Sequence, residues 1–209
     1  MTVKLVGSTS GSVSLQAPAS TTGGAHRVLT LPDADGTVAV GDTGKILQVK
    51  TNTTRDSTGS VHCNPTNTYV DIPDQNVTIT PSAATSKIKI SFHQFGEPAD
   101  SPHQYFLAIK RAISGGATTV IKAPAASNRS TGLTMLTDNY NADYDSTPEI
   151  AQISNYLDSP NTTSAITYTV QIKHTESTNY YYYNRAVSSA DEIARERGLS
   201  WITVEEVAA

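Results

Sequence analysis

Five histidines and one cysteine are the residues of this 209-residue chain best suited to metal or nucleophilic chemistry. The histidines stand at 26, 62, 93, 103 and 174. No two of them share the i,i+2 or i,i+4 spacing that sets two imidazoles on one face of a strand or helix. His93 and His103 could meet across a hairpin, near His62 or Cys63, but polar loop positions are the simpler expectation. A lone Cys63 excludes an internal disulfide framework and a cysteine zinc site. No G-x-S-x-G sequence and no phosphate-binding loop occurs, so no enzyme activity is expected. Residues 138–145 space oxygen side chains at 139, 141, 143 and 145, as a calcium loop does. Tyr144 stands where that loop needs glycine, and Glu149 falls one position short of its final ligand. A solvated, turn-rich loop is the expectation, with no metal and no cofactor.

Binding residues are easier to nominate than catalytic ones. Ten of the aromatic residues are tyrosines, rigid side chains with an apolar body and a polar tip. Tyr140 and Tyr144, which fall in the polar stretch 123–148, and His103 are the candidate receptor contacts. Tyr180–Tyr183 is a run of four. Alternate side chains of a strand face opposite ways, so one pair of these is expected in the core or a subunit interface. Arg111, Arg185, Asp71, Asp158 and Glu206 lie at or near strand ends. They are the candidates for structural charge pairs that fix register or subunit orientation.

The elements that position these residues read as strands. Lys87–Phe92 alternates, with Ile88, Ile90 and Phe92 on one face. Residues 166–173 alternate over eight residues, with Ile166, Tyr168, Val170 and Ile172 inward. Further strands are expected at 46–49, 69–72, 77–79, 106–111, 120–122, 150–156, 180–185 and 201–204. A Pro73-Asp74 turn separates the second and third of these. The one helix signal is a capping box at Ser189–Glu192, followed by Gly198 as a stop, and it predicts at most two turns. Two stretches, 50–68 and 123–148, are long polar loops, the natural place for contacts outside the chain.

Composition narrows the class. Charged residues are 16%, against about 25% in an ordinary soluble domain. Ser and Thr supply 51 residues, while Leu, Ile, Val and Phe supply 42. Fifteen cations against nineteen acids, with no basic cluster, argue against nucleic acid as a partner. No apolar run of about 18 residues exists, so no membrane-inserted helix is expected, and the first residues predict no cleaved leader. The apolar shortage is worst before Gly44. There the strands are three to five residues long, separated by Gly, Ser and Pro, and bury too little surface to order themselves. They need partners from a neighbouring domain or other chains. The reading is all-β: a short-stranded N-terminal shaft or attachment segment, 1–44, followed by a jelly-roll-like β-sandwich, 45–209.

Particular segments carry a resemblance. Residues 7–19, Gly-Ser-Thr-Ser-Gly-Ser-Val-Ser-Leu-Gln-Ala-Pro-Ala, followed by residues 29–38, Leu-Thr-Leu-Pro-Asp-Ala-Asp-Gly-Thr-Val, resemble a repeat near the N-termini of bacteriophage tail fibres. Downstream, Lys45–Val49, Tyr69–Ile72, Val77–Ser82, Ser86–Ile90, Ile109–Arg111, Leu157–Tyr168, Tyr183–Arg185 and Arg197–Ala208 follow in order. Together they are similar to C-terminal domains of tail fibre proteins from marine and cyanobacterial phages. The resemblance implies a virion protein, a homotrimer, joined to other virion subunits through the N-terminal segment. It implies a distal β-rich knob whose loops adhere to a host surface glycan or protein receptor. The alternative is a head fibre, decoration or baseplate adaptor protein with a purely structural docking role.

Overall fold

The computed structural model describes residues 2–6, 12–16, 44–52, 57–99, 104–125, 127–136, 147–176 and 178–209. The chain divides into two compact units, Met1–Val40 and Gly41–Ala209. In the first, β1 (Thr2–Val6) and β2 (Ser12–Gln16) pair antiparallel, with Thr2 opposite Gln16. The strands expected around 28–30 and 37–38 lie outside the described residues.

The described residues of the second unit form eleven strands. They are β3 (Ile46–Thr51), β4 (Gly59–His62), β5 (Val70–Ile79), β6 (Lys87–Pro98), β7 (Tyr105–Ile113), β8 (Thr118–Ile121), β9 (Thr134–Met135), β10 (Glu149–Asp158), β11 (Ile166–His174), β12 (Tyr180–Tyr183) and β13 (Trp201–Val207). Among the described residues there is no helix.

All pairings are antiparallel. One sheet runs β3–β13–β6–β10. At its corner, β12 takes the edge of β6 at Gly96–Pro98 that β13 leaves free, and β4 pairs β12 in turn. The other sheet runs β5–β11–β7–β8, with β9 beside the start of β7. Strands β3, β6, β10 and β13 thus form one layer and β5, β7, β8 and β11 the other. The chain crosses repeatedly between the layers, which is the double-sheet jelly roll. The expected all-β sandwich is the observed fold.

Period-two alternation explains the core. Ile88, Ile90 and Phe92 of β6, with Ile202 and Val204 of β13, are buried from one sheet. Ile166, Tyr168, Val170 and Ile172 of β11, with Leu107 and Ile109 of β7, are buried from the other. Burying a side chain of this size contributes about 1.5–3 kcal/mol, which offsets the ordering entropy that so polar a chain must overcome.

Three expectations need correction. Val70–Ile79 is one strand, not two around a turn. Asp74 takes φ 60, and the register with β11 slips between Thr169 and Gln171, so the extra residues bulge out and pairing resumes. Pro73, which has no N–H to donate, is tolerated because β5 is an edge strand. Residues 189–198 form bends and a turn rather than a helix. So short a helix must recover its nucleation cost from packing, and Ile193, its largest apolar side chain, is fully exposed. Finally, the two long polar stretches are not wholly loop, since they carry β4 and β9.

In β12, Tyr181 and Tyr183 are buried while Tyr180 and Tyr182 face outward. The close approach of β12 to β6 requires Gly96. A Cβ there would collide with the Tyr182 carbonyl and the Tyr181 hydroxyl.

Candidate functional site

The feature best suited to hold a ligand is a basic pocket on the outer side of the β5–β11–β7–β8 sheet. Its floor is set by strand register. Lys173 lies opposite Phe106 of β7, on the face away from Ile172 and the core. A lysine here is normally solvated, but this one is 4% exposed. Its Nζ lies 5.6 Å from the Phe106 ring centre and 4.9 Å from that of Tyr69. It donates to Asn67 Oδ1 at 2.8 Å. Asn67 sits in the connection before β5 with φ 59, a left-handed conformation that asparagine tolerates better than most residues.

The walls come from the connection after β8. Lys122 follows that strand directly, and its Nζ stands 5.9 Å from the Tyr69 ring centre. The neck of the loop closes where Ala123 N–H donates to the Gly132 carbonyl at 3.1 Å. Tyr69 Oη donates to the Thr131 carbonyl, so one tyrosine supports Lys173 with its ring and ties down the loop with its tip. Arg129 completes the cationic lining, and Asn128, Ser127 and Ser130 supply neutral polar groups. The cavity measures about 380 Å³.

Three cations and no carboxylate are among the described residues that line it. Burial, then the neighbouring Lys122 charge, lowers the Lys173 pKa from the ordinary lysine value. Like charges held together with no acid among them set up a positive potential that an anion would relieve. A second, smaller cavity of about 140 Å³ is lined by Arg185, Arg195 and Arg197. Its charge is already partly compensated, since Glu196 lines it and Glu192 approaches Arg195 at 3.6 Å. The pocket at Lys173 is therefore the stronger candidate. Replacing Tyr69 by phenylalanine keeps the ring but removes the tie to Thr131. About 1 kcal/mol of stability should be lost, with faster hydrogen exchange at Leu133 and its neighbours. Unchanged exchange there would show that the hydroxyl does not hold the loop.

Neither Lys173 nor Lys122 nor Arg129 was singled out from sequence. A signal existed: residues 101–137 hold four Lys and Arg and no Asp or Glu. The nominated receptor contacts Tyr140, Tyr144 and His103 lie outside the described residues, as does the calcium-like run. Both nominated loops do contribute to the pocket, through Asn67 from one and Ala125 and residues 127–131 from the other.

Of the nominated structural charges, Arg111 and Asp158 form an ion pair, Nη1 to Oδ1 2.7 Å. Asp158 Oδ2 also accepts from Tyr168 Oη at 2.8 Å. Asp71 pairs with Lys110 and accepts from Gln171 Nε2 at 2.8 Å. Among the described residues Arg185 meets no carboxylate directly. It donates to the Ala186 and Val187 carbonyls at 3.0 and 2.7 Å and lies 4.5 Å above the Tyr182 ring. Arg111 sits inside β7 rather than at its end. Glu206 is bound by neutral donors, Gln48 and Ser82.

The described histidines do not gather. His93 stacks on Trp201 at 6.1 Å and His62 on Tyr180 at 4.5 Å. Cys63 is fully buried, and burial pushes its thiol up to about 12, so it offers no thiolate nucleophile.

No protein-family model matches the chain, and no curated protein matches it. Among solved structures it is similar to chains from infectious bursal disease virus. Against the structure of the Gt strain it is 13% identical with a TM-score of 0.37, over 98% of this chain and 46% of that one. Against the VP2 subviral particle it is 13% identical with a TM-score of 0.35, over 87% of this chain and 43% of that one. The chain spans less than half the length of these solved chains.

Proposed function

We propose that this chain is a virion protein, a bacteriophage fibre that adheres to the host cell surface through the Lys122–Arg129–Lys173 pocket. The observation that carries the reading is the basic pocket, with no carboxylate among its described lining residues, built by two loops on a rigid β-sandwich. Loops on a rigid scaffold are where binding sites concentrate. The ordered resemblance to phage fibre domains supports the virion setting. The reading is of binding alone, with no covalent step.

Assembly as a homotrimer is part of the proposal. Strands β3 and β10 close opposite edges of one sheet. Ile46 and Val49 on β3, and Ile150 and Leu157 on β10, are all between 46% and 55% exposed. Exposed apolar edge strands invite pairing and are usually covered or blunted. A trimer would also multiply weak pocket affinities into useful avidity.

The test uses the whole chain and cells of the bacterium the virus infects. The expected result is saturable binding that competes with infection, reduced roughly tenfold or more by Lys122→Glu with Arg129→Glu. Absence of both binding and competition at micromolar protein would overturn the adhesin reading. It would favour instead the structural alternative, a head fibre, decoration or baseplate adaptor. Sedimentation checks the trimer independently, since a monomer at micromolar concentration contradicts it.

A further inference from the structure

We infer that the pocket takes an anionic saccharide, a sugar carrying a carboxylate or sulfate group, with the anion held at Lys173 and Lys122 and the hydroxyls read by the surrounding amides and hydroxyls. This rests on the pocket being the attachment site and names the class of ligand it receives.

An ammonium has three N–H donors. That of Lys173 gives one to Asn67 Oδ1 and is otherwise flanked by the faces of Tyr69 and Phe106. Its remaining donor capacity opens on the cavity it lines. A cation enclosed between two rings cannot turn away to bulk water. It can regain a full set of partners from an anionic acceptor entering the cavity. Lys122 stands over the same Tyr69 ring, so two ammonium groups share one aromatic support. Both line the same cavity, so an anion entering it meets two cationic donors, as a carboxylate or sulfate with several acceptor oxygens can use.

The neutral lining then selects among anions. A site for a bare anion needs donors only. This cavity also offers acceptors: the amide oxygen of Asn128 and the hydroxyls of Ser127 and Ser130. Sugar hydroxyls both donate and accept, and they match such a lining. The volume of about 380 Å³ falls in the range of small-ligand sites, roughly 300–1,000 Å³, and far exceeds what one oxyanion fills. Nucleic acid fits poorly, because three clustered cations do not make a track along a backbone and the chain's net charge is −4.

Calorimetry on the full chain tests this with four probes: a galacturonate oligomer, a sulfated galactan oligomer, a neutral galactan oligomer of equal length, and inorganic sulfate. One or both acidic oligomers should bind at least tenfold more tightly than the neutral one and than sulfate. Binding should weaken as ionic strength rises, because partly exposed charges are screened. Lys122→Gln with Arg129→Gln should weaken the acidic oligomer about tenfold while circular dichroism stays unchanged, both residues being exposed. Binding of only one acidic probe identifies carboxylate or sulfate as the anion; binding of both makes charge sufficient. Equal affinity for the neutral oligomer overturns the proposal, as does equal affinity for inorganic sulfate. If no acidic oligomer binds but host cells still do, the ligand class is wrong and the adhesin reading survives. If cells are not bound either, both fall.

Discussion

Replacing Asp158 by alanine is expected to lower the unfolding free energy by about 3–5 kcal/mol, the usual consequence of removing one partner from a buried charge pair. Asp158 ends β10 in one sheet, while Arg111 and Tyr168 face each other on β7 and β11 of the other. One carboxylate therefore ties the two layers together at their end. It receives Arg111 on one oxygen and the Tyr168 hydroxyl on the other, and its side chain is 8% exposed. Burial, and then the carboxylate, drive the Tyr168 pKa up, so the phenol stays protonated and donating. Truncation leaves a guanidinium and a hydroxyl with no acceptor. The ion pairs Lys89–Glu205 and Lys110–Asp71 are partly exposed, and breaking either should cost about 1 kcal/mol. Denaturant titration of Asp158→Ala beside Lys89→Met separates the two classes. A loss below about 1 kcal/mol for Asp158→Ala would show that the layers are not joined there.

The second large effect is a pH dependence centred on Glu206. This carboxylate is fully buried on the inner face of β13. It accepts from Gln48 Nε2 at 2.6 Å and from both the backbone N–H and the hydroxyl of Ser82 at 2.7 Å. Burial pushes the carboxyl up, but the hydrogen bonds from Ser82, Gln48 and Ser86 outweigh it and hold the pKa at about 2, against an ordinary 4.5. A depressed folded-state pKa stabilises the fold above the unfolded value, and that contribution disappears as pH falls through the folded one. Stability should therefore decline from about pH 4.5 down to about pH 2 through this group, by roughly 3 kcal/mol in all. Glu206→Gln should destabilise the protein at neutral pH by a similar amount and remove that portion of the acid sensitivity. The comparison is denaturant titration of both proteins between pH 2 and 6. Parallel pH profiles for the two would refute the role of this carboxylate.

These two carboxylates also show how far local pattern reaches. Asp158 and Glu206 were marked as structural by their place near strand ends, and Arg111 was marked with them. Nothing local paired Arg111 with Asp158 rather than with Asp71, because the partners are 47 residues apart in the chain. The helix expected after Ser189 shows the opposite limit. Its capping box was a local signal only, and no helix forms there: a short helix is stable only against a surface, and among the described residues none covers Ile193. At Pro73-Asp74, the break in the sequence was real, and sheet pairing carried the strand across it as a bulge.

The double-sheet body was legible because alternation is a local property. An inward Ile88, Ile90 and Phe92, or an inward Ile166, Tyr168, Val170 and Ile172, follows from period two wherever the strand lies. The pocket was not legible in that way. Lys173 reads as an ordinary outward lysine on a strand, and it becomes an enclosed cation only because Asn67, 106 residues earlier, and the loop after β8 fold over it. A strand's faces are set by its own residues, whereas desolvation and charge crowding are sums over neighbours that the chain brings together from afar.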